Sequence, residues 1–259
     1  MYVNNHTAPA IADRDHVAVV AQHDAGTTVP QVTVIVSLYN YEKFVAGTLD
    51  TVRAQSLGAL DLIVVNDCST DGSLEVVKDW FAGNSSRFNR ALLLHHQLNQ
   101  GLAKTRNTAF YHARTPYVFV LDADNLLYPR CLERLLSALE NCDASFAYCY
   151  LEHFGDVSAL GNPKPWNPAT FRHNNTIDAM VLMRKSVWEQ AGGYSIMEVM
   201  GWEDFDLWFK IARLKGWGVH VHEILARYRV HGSSMLNTVT NPKVKILWAH
   251  MRRTYPEFF

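Results

Sequence analysis

The strongest constraint on the fold is a short apolar run that stops at two carboxylates one residue apart. Residues 117–121 are apolar or aromatic without a break, and Asp122, Ala123 and Asp124 follow directly. Such a run, rich in β-branched and aromatic side chains, is typical of a strand buried on both faces, as in a parallel sheet. The two carboxylates then lie at the carboxyl edge of that sheet, where open α/β folds bind ligands.

The alternation of strand and helix patterns extends through the first half of the chain. Strand patterns also occur at 32–37, 61–66 and 91–95, and helical spacing or helix-capping residues follow each of them. The helices are predicted at 42–55, 74–81, from 99 onward and at 129–140. This order predicts an α/β fold in which helices flank a Rossmann-type, mostly parallel sheet.

The pattern becomes looser after residue 143. Strands are predicted at 145–152, 176–183 and 218–230, and helices at 203–214 and 242–253. Residues 1–30 show no sustained period, so we expect a linker or loosely ordered arm there. We therefore predict one domain over 31–259, with a regular half at 31–143 and a more irregular half at 144–259.

Composition restricts the class of partner and the compartment. The 259 residues carry a formal net charge of −1, so no global basic field indicates a nucleic-acid partner. The four cysteines have no Cys-x-x-Cys spacing, which argues against a zinc site or a redox pair. No apolar run approaches the roughly 18 residues that a membrane helix needs. We expect a cytoplasmic protein, and peripheral contact with the inner face of the membrane stays open.

The carboxylates after the run at 117–121 suit a hard divalent cation. Mg²⁺ and Mn²⁺ prefer oxygen ligands and commonly hold ligand phosphates through one or two protein carboxylates. Taken alone, Asp122-Ala123-Asp124-Asn125 is equally compatible with an exposed turn, because Asp and Asn are ordinary turn residues. The sequence suggests no role for Asn125.

Polar and aromatic residues follow the neighbouring predicted strands at the same sheet edge. The ring of Tyr39 could stack on a nucleotide base, and Asp67 could accept a hydrogen bond from a ring N–H. Lys104 and Arg106 supply local positive charge on the first turns of a helix, where phosphate binds favourably. Each also has a structural explanation: Tyr39 as rim packing, Asp67 as a helix cap and the two cations as a solvated surface.

Six segments, taken together and in chain order, resemble the family 2 glycosyltransferases of the GT-A fold. The segments are residues 34–40, 64–73, 99–107, 122–124, 201–207 and 228–234. The match extends over roughly residues 31–236, which is specific for the family and unspecific for the sugar. The half at 31–143 then corresponds to nucleotide binding and the half at 144–259 to the acceptor side.

The resemblance implies that a sugar is transferred with inversion from a nucleotide-sugar donor, UDP-linked, to a carbohydrate or glycoconjugate hydroxyl, in polysaccharide or glycoconjugate synthesis. It implies that Asp122 contacts the ribose. It also implies that Asp124 and His231 hold Mn²⁺ or Mg²⁺, although a histidine after a strand has a structural alternative. The implied donor-binding residues are Ser37, Tyr39, Asp67, Lys104, Arg106 and Asp122.

On the acceptor side, the resemblance implies that Asp204 is the base that deprotonates the acceptor hydroxyl. Inversion needs a single in-line displacement, so one base suffices. Trp202 would offer a flat face to a sugar ring, and Glu203 would bind the acceptor or orient Asp204. The structural alternative is that Asp204 is an acid favoured by the dipole at a helix N-terminus.

Three other function classes share some of these features. A sugar-phosphate nucleotidyltransferase needs a glycine-rich basic loop after its first strand, where this chain has Leu38-Tyr39-Asn40-Tyr41-Glu42. A hydrolase with two carboxylates does not need a base-stacking tyrosine. A non-catalytic carbohydrate-binding module does not need Asp124 and Asp204, and turnover of a labelled donor would distinguish it.

Overall fold

A computed structural model describes residues 17–26, 29–232 and 234–259. The strands are β1 (Val17–Asp24), β2 (Val32–Leu38), β3 (Leu60–Asn66), β4 (Arg90–His96), β5 (Tyr117–Asp122), β6 (Leu126–Leu127), β7 (Phe146–Gly155), β8 (Ala159–Leu160), β9 (Leu182–Arg184) and β10 (Gly218–Val230). The α-helices are α1 (Val45–Arg53), α2 (Ser73–Asn84), α3 (Leu102–His112), α4 (Cys131–Glu140), α5 (Lys185–Gln190), α6 (Glu203–Arg213) and α7 (Val244–Thr254).

The strands form one mixed sheet in the order β1-β4-β3-β2-β5-β9-β7-β10-β6, with β8 paired to β7. Its centre is parallel, because β3 pairs in parallel with β2 and β4, and β2 pairs in parallel with β5. The strands β7 and β10 form a second parallel pair, which the antiparallel strand β9 joins to β5. The predicted α/β fold with a mostly parallel sheet is confirmed.

Helices cover both faces of the sheet, and each face has its own hydrophobic core. The helices α1, α2 and α4 pack on one face, whereas α3, α6 and α7 pack on the other. Along β2, Val34 and Val36 belong to the first core and Ile35 to the second. Burial on both faces explains why the central strands are apolar without alternation.

One predicted strand is largely wrong. Of the residues 176–183, those in β9 pair with neighbouring strands, and before them the Val181 carbonyl oxygen accepts one hydrogen bond from the Val120 N–H of β5. The Asn175 side chain accepts a hydrogen bond from the Ile177 N–H at 3.2 Å, and the Asp178 side chain accepts one from the Met180 N–H at 2.8 Å. These local bonds satisfy backbone donors that a strand would offer to its neighbour, so the segment forms a loop instead.

The prediction of a linker or loosely ordered arm over residues 1–30 is wrong for Val17–Asp24. These residues form β1, which pairs antiparallel with β4 at the edge of the sheet. Their side chains are half-buried or exposed, and a register shift lies between Val19 and Ala21, so the sequence shows little period-two pattern. Residues 1–16 and 27–28 lie outside the described residues.

The sequence predicts neither paired cysteines nor a membrane helix. All four cysteines are free. Among the helices of the described ranges, none is long and apolar enough to cross a membrane.

The buried Trp208 in α6 provides a test of the second core. Its ring stacks on Phe146 with the centroids 4.6 Å apart, and its indole N–H donates to the Ile177 carbonyl oxygen at 3.0 Å. We expect Trp208→Ala to lower the free energy of unfolding by about 3–5 kcal/mol, because it leaves a cavity. Urea denaturation followed by circular dichroism measures the change.

Trp217→Ala is the matched control, since the Trp217 side chain is 37% exposed. We expect it to cost about 1 kcal/mol or less. Equal losses in the two variants would contradict the described packing of α6.

Candidate active site

A cavity of about 1280 Å³ lies at the carboxyl ends of β2 and β5 and faces the start of α6. Sequence-predicted site residues from both halves of the chain line it. They are Ser37, Tyr39, Asp67, Arg106, Asp122, Asp124, Trp202, Glu203, Asp204 and His231. The fold therefore brings ten of the eleven predicted residues to one cleft.

Lys104 is the exception, because it does not line this cavity. It lies on α3 two residues before Arg106, which does. Two residues correspond to about 200° of rotation around a helix, so the two side chains leave opposite sides of α3. The donor contact of Lys104 stays a prediction.

The end of β2 presents Ser37 and Tyr39 to the cleft. The Ser37 hydroxyl is buried, and no described residue forms a hydrogen bond with it, so its bonding capacity is available to a ligand. The Tyr39 ring is 43% exposed. Asn40 follows in the left-handed region, with φ of 60°, and its side-chain oxygen accepts from the Thr70 N–H at 2.8 Å. That bond braces the loop after β2 against the loop after β3.

Asp67, after β3, is buried, and protein donors use most of its acceptor capacity. Its Oδ1 accepts from His96 Nδ1 at 2.7 Å and from the Gln100 N–H at 2.8 Å. Its Oδ2 accepts from the Gly101 N–H at 2.8 Å, where α3 begins. A carboxylate offers about four acceptor positions, so about one is left for a ligand. Asp67 therefore holds the start of α3, whether or not it also binds a nucleotide base.

Asp124 and His231 meet at the end of β5. The distance between Asp124 Oδ2 and His231 Nε2 is 3.1 Å. Burial raises the pKa of Asp124 to about 6, and repulsion from Asp122 also raises it, while His231 lowers it. Two neighbouring carboxylates in a buried position indicate a site that favours added positive charge.

Asn125, for which the sequence suggested no role, positions this pair. Its side-chain oxygen accepts from the Arg229 N–H at 2.8 Å. Arg229 Nε donates in return to the Asp124 carbonyl oxygen at 3.1 Å. These two bonds tie the end of β5 to the end of β10, and His231 follows directly after β10.

The donor set of Asp124 and His231 fits a divalent cation that a ligand completes. Within the described residues, no three His, Cys, Asp or Glu side chains form a protein metal cage. Mg²⁺ and Mn²⁺ in phosphate sites commonly use one or two protein carboxylates and take their other ligands from water and phosphate oxygens. One carboxylate beside one imidazole matches that pattern, and Mn²⁺ accepts imidazole more readily than Mg²⁺ does.

Arg106 is a buried cation within the acidic cleft. Its Nη2 donates to Asp122 Oδ1 at 2.9 Å, and its guanidinium lies 5.5 Å from the centroid of the Tyr194 ring. Burial acts to lower the pKa of Arg106, but Asp122 and then Tyr194 outweigh that effect, so the pKa is raised overall. The predicted contact of Arg106 with the donor is thus accompanied by a structural ion pair with Asp122.

The acceptor-side residues lie where α6 begins. Glu203 is buried, and its Oε2 accepts from the Gly201 N–H at 2.9 Å. Asp204 Oδ2 accepts from Asn175 Nδ2 at 2.9 Å. Burial raises the pKa of Asp204 to about 6, with Arg106 lowering it and Glu203 raising it. Such a group is ionised at neutral pH and is still basic enough to accept a proton.

Two other residues of α6 and its approach have mainly packing roles. Trp202 lines the cavity, but its ring also packs edge-on against Phe205 and Trp248, with centroids 5.4 and 4.8 Å apart. Asp206 is buried away from the cavity, where it accepts from the Tyr255 hydroxyl at 2.5 Å and lies 3.2 Å from Lys210 Nζ. Asp206 is therefore not a candidate for the base.

Sequence reasoning missed Asn175 and Asp178, which also line the cavity. Asp178 lies in the segment that was predicted to be a strand, and Asn175 directly precedes that segment. Asn and Asp two or three residues apart are a signal for a loop with side-chain-to-backbone hydrogen bonds, and that signal could have identified them.

Known proteins share sequence similarity with this chain. The family model described as glycosyl transferase family 2 matches residues 33–200. The chain is 29% identical over 206 residues to the putative glycosyltransferase EpsE of Bacillus subtilis, covering 77% of this chain and 73% of EpsE.

Two solved structures have a similar fold. The S. aureus TarS fragment 1-349 in complex with UDP-GlcNAc gives a TM-score of 0.66 at 18% identity, over 80% of this chain and 61% of that one. The mannosyltransferase PcManGT from Pyrobaculum calidifontis, in complex with GDP-Man and Mn²⁺, gives 0.64 at 22% identity, over 82% of this chain and 60% of that one. The chain thus spans about six tenths of each structure, and at these identities the likeness concerns the fold alone.

The bonds of Asp67 predict that it contributes to stability without any ligand. Asp67→Asn replaces one carboxylate oxygen with an amide N–H₂ group. A backbone N–H that donates to that oxygen in the wild type then has no acceptor. We expect the free energy of unfolding to fall by about 1–3 kcal/mol, because a buried donor loses its partner. Urea denaturation of nucleotide-free protein measures this change.

Asp79→Asn, on the exposed face of α2, is the matched control, and we expect it to change stability by about 0.5 kcal/mol or less. If Asp67→Asn were equally neutral, Asp67 would serve a ligand and not the start of α3.

Proposed function

The chain belongs to glycosyl transferase family 2 and has the GT-A fold, and we propose that it transfers a sugar with inversion from a UDP-linked donor to a hydroxyl acceptor. One arrangement carries the proposal. The Asp124–His231 pair and the Asp204 carboxylate line the same cleft, so groups suited to a diphosphate and to an acceptor hydroxyl face one space.

The choice of UDP rests on residues of this chain. Structures of similar fold contain UDP-GlcNAc in one case and GDP-Man in the other, so the fold alone does not select the base. The exposed Tyr39 ring suits stacking, the unpartnered Ser37 hydroxyl suits a polar group of the base, and Asp67 keeps about one acceptor position for a ring N–H. These groups together fit uracil.

We assign Asp124 and His231 to a divalent cation, Mn²⁺ or Mg²⁺, and Asp122 to the donor ribose. When bound, the cation would supply Lewis-acid stabilisation of the charge that develops on the diphosphate. The ion pair with Arg106 holds one Asp122 oxygen at 2.9 Å and leaves the other oxygen for the ribose hydroxyls.

Asp204 removes the proton of the acceptor hydroxyl. The acceptor oxygen forms a bond to the anomeric carbon while the bond from that carbon to the diphosphate breaks, and the diphosphate leaves with the electron pair. The proton ends on the Asp204 carboxylate. Asn175 orients that carboxylate through its hydrogen bond to Oδ2, and Glu203 and Trp202 line the space for the acceptor.

The biological setting is part of the proposal. A role in polysaccharide or glycoconjugate synthesis is supported by the name of one relative, the putative teichuronic acid biosynthesis glycosyltransferase TuaG of Bacillus subtilis, which is 26% identical over 212 residues. The division into a nucleotide-binding half and an acceptor-side half, the cytoplasmic location and the peripheral membrane contact stay predictions.

Asp204→Asn tests the proposed base. The substitution keeps the size of the side chain but cannot accept a proton at neutral pH. We expect sugar transfer to fall by about 10²–10⁴-fold, because a positioned base is lost. Binding of UDP with Mn²⁺ should stay unchanged. Release of UDP from UDP-sugars in the presence of an acceptor polysaccharide measures transfer, and calorimetry measures binding.

Asp206→Asn is the comparison variant, since it makes the same change on the same helix outside the cavity. We expect it to lower stability but to keep the transfer rate of the folded protein. If Asp204→Asn transferred sugar at a near-normal rate, the role would pass to Glu203.

A further inference from the structure

The Asp178 carboxylate lines the cleft but has no part in the steps described above. Its direction follows from the alternation of the chain after it. Ile177, Ala179 and Val181 pack into the core that contains α6, whereas Met180 packs into the core on the opposite face of the sheet. Asp178 precedes Met180 by two residues and so has the same place in this alternation. Its side chain points to the same side of the segment as that of Met180, where the cleft lies instead of the core.

The loop that carries Asp178 is held in place. The Trp208 indole N–H donates to the Ile177 carbonyl oxygen at 3.0 Å, and the Val181 N–H donates to the Ala179 carbonyl oxygen at 2.8 Å. Ile177 and Ala179, on either side of Asp178, are buried. The carboxylate therefore projects from a rigid segment, as a binding group must if it is to select between similar ligands.

Only one oxygen of Asp178 is occupied within the described part of the chain. Oδ1 accepts from the Met180 N–H at 2.8 Å, while no described residue donates to Oδ2 or forms an ion pair with the carboxylate. Asp178 is half-buried and lines the cleft, so Oδ2 is open to a ligand there. The vacant acceptor capacity of Oδ2 therefore points to a ligand that donates hydrogen bonds.

Electrostatic interactions locate Asp178 near both ends of the proposed reaction path. Burial raises the pKa of Asp178 to about 7, repulsion from Asp122 and Asp204 raises it as well, and Arg106 lowers it. Asp122 belongs to the donor side of the cleft and Asp204 to the acceptor side. In an in-line displacement, the transferred sugar lies between the leaving diphosphate and the base. Asp178 therefore faces the space that this sugar must occupy.

We propose that Asp178 accepts hydrogen bonds from hydroxyl groups of the donor sugar and thereby contributes to the choice of sugar. This inference rests on the proposed glycosyl transfer. The chemistry is specific above the pKa of Asp178, about 7, because sugar hydroxyls are donors and the ionised carboxylate can only accept. A sugar that lacks a hydroxyl at the right position, or holds it in the other configuration, leaves Oδ2 unpaired and binds more weakly.

Asp178→Asn separates this role from the others. The asparagine oxygen still accepts from the Met180 N–H, so the loop keeps its bond, but the second acceptor becomes a donor. We would measure by calorimetry, with Mn²⁺ present, the Kd of UDP and of UDP-glucose, UDP-galactose, UDP-N-acetylglucosamine and UDP-glucuronate. The informative quantity is the ratio of the Kd of UDP to that of each UDP-sugar.

The expected result is an unchanged Kd for UDP and a loss of about tenfold or more in this ratio for the sugar that the wild type binds best, because a hydrogen bond to a charged group is lost. Glu140→Gln, on the exposed end of α4, is the control and should change neither value. Normal binding of every UDP-sugar with abolished transfer would overturn the assignment and make Asp178 a base. An equal loss for UDP and UDP-sugars would also overturn it and make Asp178 a nucleotide or scaffold residue.

If the protein does not transfer sugar from a UDP-linked donor, the binding data differ from those above. A wild-type protein that binds none of these nucleotides would overturn glycosyl transfer from a UDP-linked donor, and the assignment of Asp178 would fall with it. Wild-type binding of UDP together with an unchanged ratio in Asp178→Asn would overturn the assignment alone.

Discussion

The ion pair between Arg106 and Asp122 is the interaction on which the organisation of the cleft depends. Arg106 comes from α3 and Asp122 from the end of β5, and the charge of Arg106 also lowers the pKa of Asp204 on α6. One buried cation thus acts on both the donor and the acceptor side. The Arg106 side chain is only 4% exposed, so removal of Asp122 would leave a buried charge uncompensated and lower the stability. The position of α3 therefore affects both Asp122 and Asp204. Asp67 in turn holds the start of that helix through its hydrogen bond from the Gly101 N–H.

A second constraint is the return of β10 to the sheet. Since β10 runs parallel to β7 and its end meets the residues that follow β5, it carries His231 from the far end of the sequence to Asp124. Asn125 joins the two strand ends by accepting from the Arg229 N–H. The segment between β8 and β9 lines the same cleft and supplies Asn175 and Asp178. The same topology that brings the metal-binding pair together thus also provides groups for the sugar and for the orientation of the base.

The parts of the site that sequence could predict are those that depend on local pattern. A strand that ends in carboxylates places them at the sheet edge, so Asp122 and Asp124 could be identified without knowledge of any partner. The roles that depend on distant contacts could not be identified: His96 binds Asp67 from 29 residues away, and Asn125 binds Arg229 from 104 residues away. Lys104 lies outside the cavity because two residues along α3 turn its side chain away from that of Arg106, so its donor contact stays a prediction. The strand β1 was missed because an edge strand that is half-buried leaves little pattern.

The central claim is that the cleft binds a nucleoside diphosphate through a divalent cation at Asp124. The most direct measurement is the Kd of UDP by calorimetry with and without Mn²⁺, for the wild type and for Asp124→Ala. We expect Mn²⁺ to strengthen UDP binding to the wild type by roughly 5–150-fold, as is usual for coupled ligands, and to leave binding to Asp124→Ala almost unchanged. The same enhancement by Mn²⁺ in the folded variant, or none in the wild type, would contradict it.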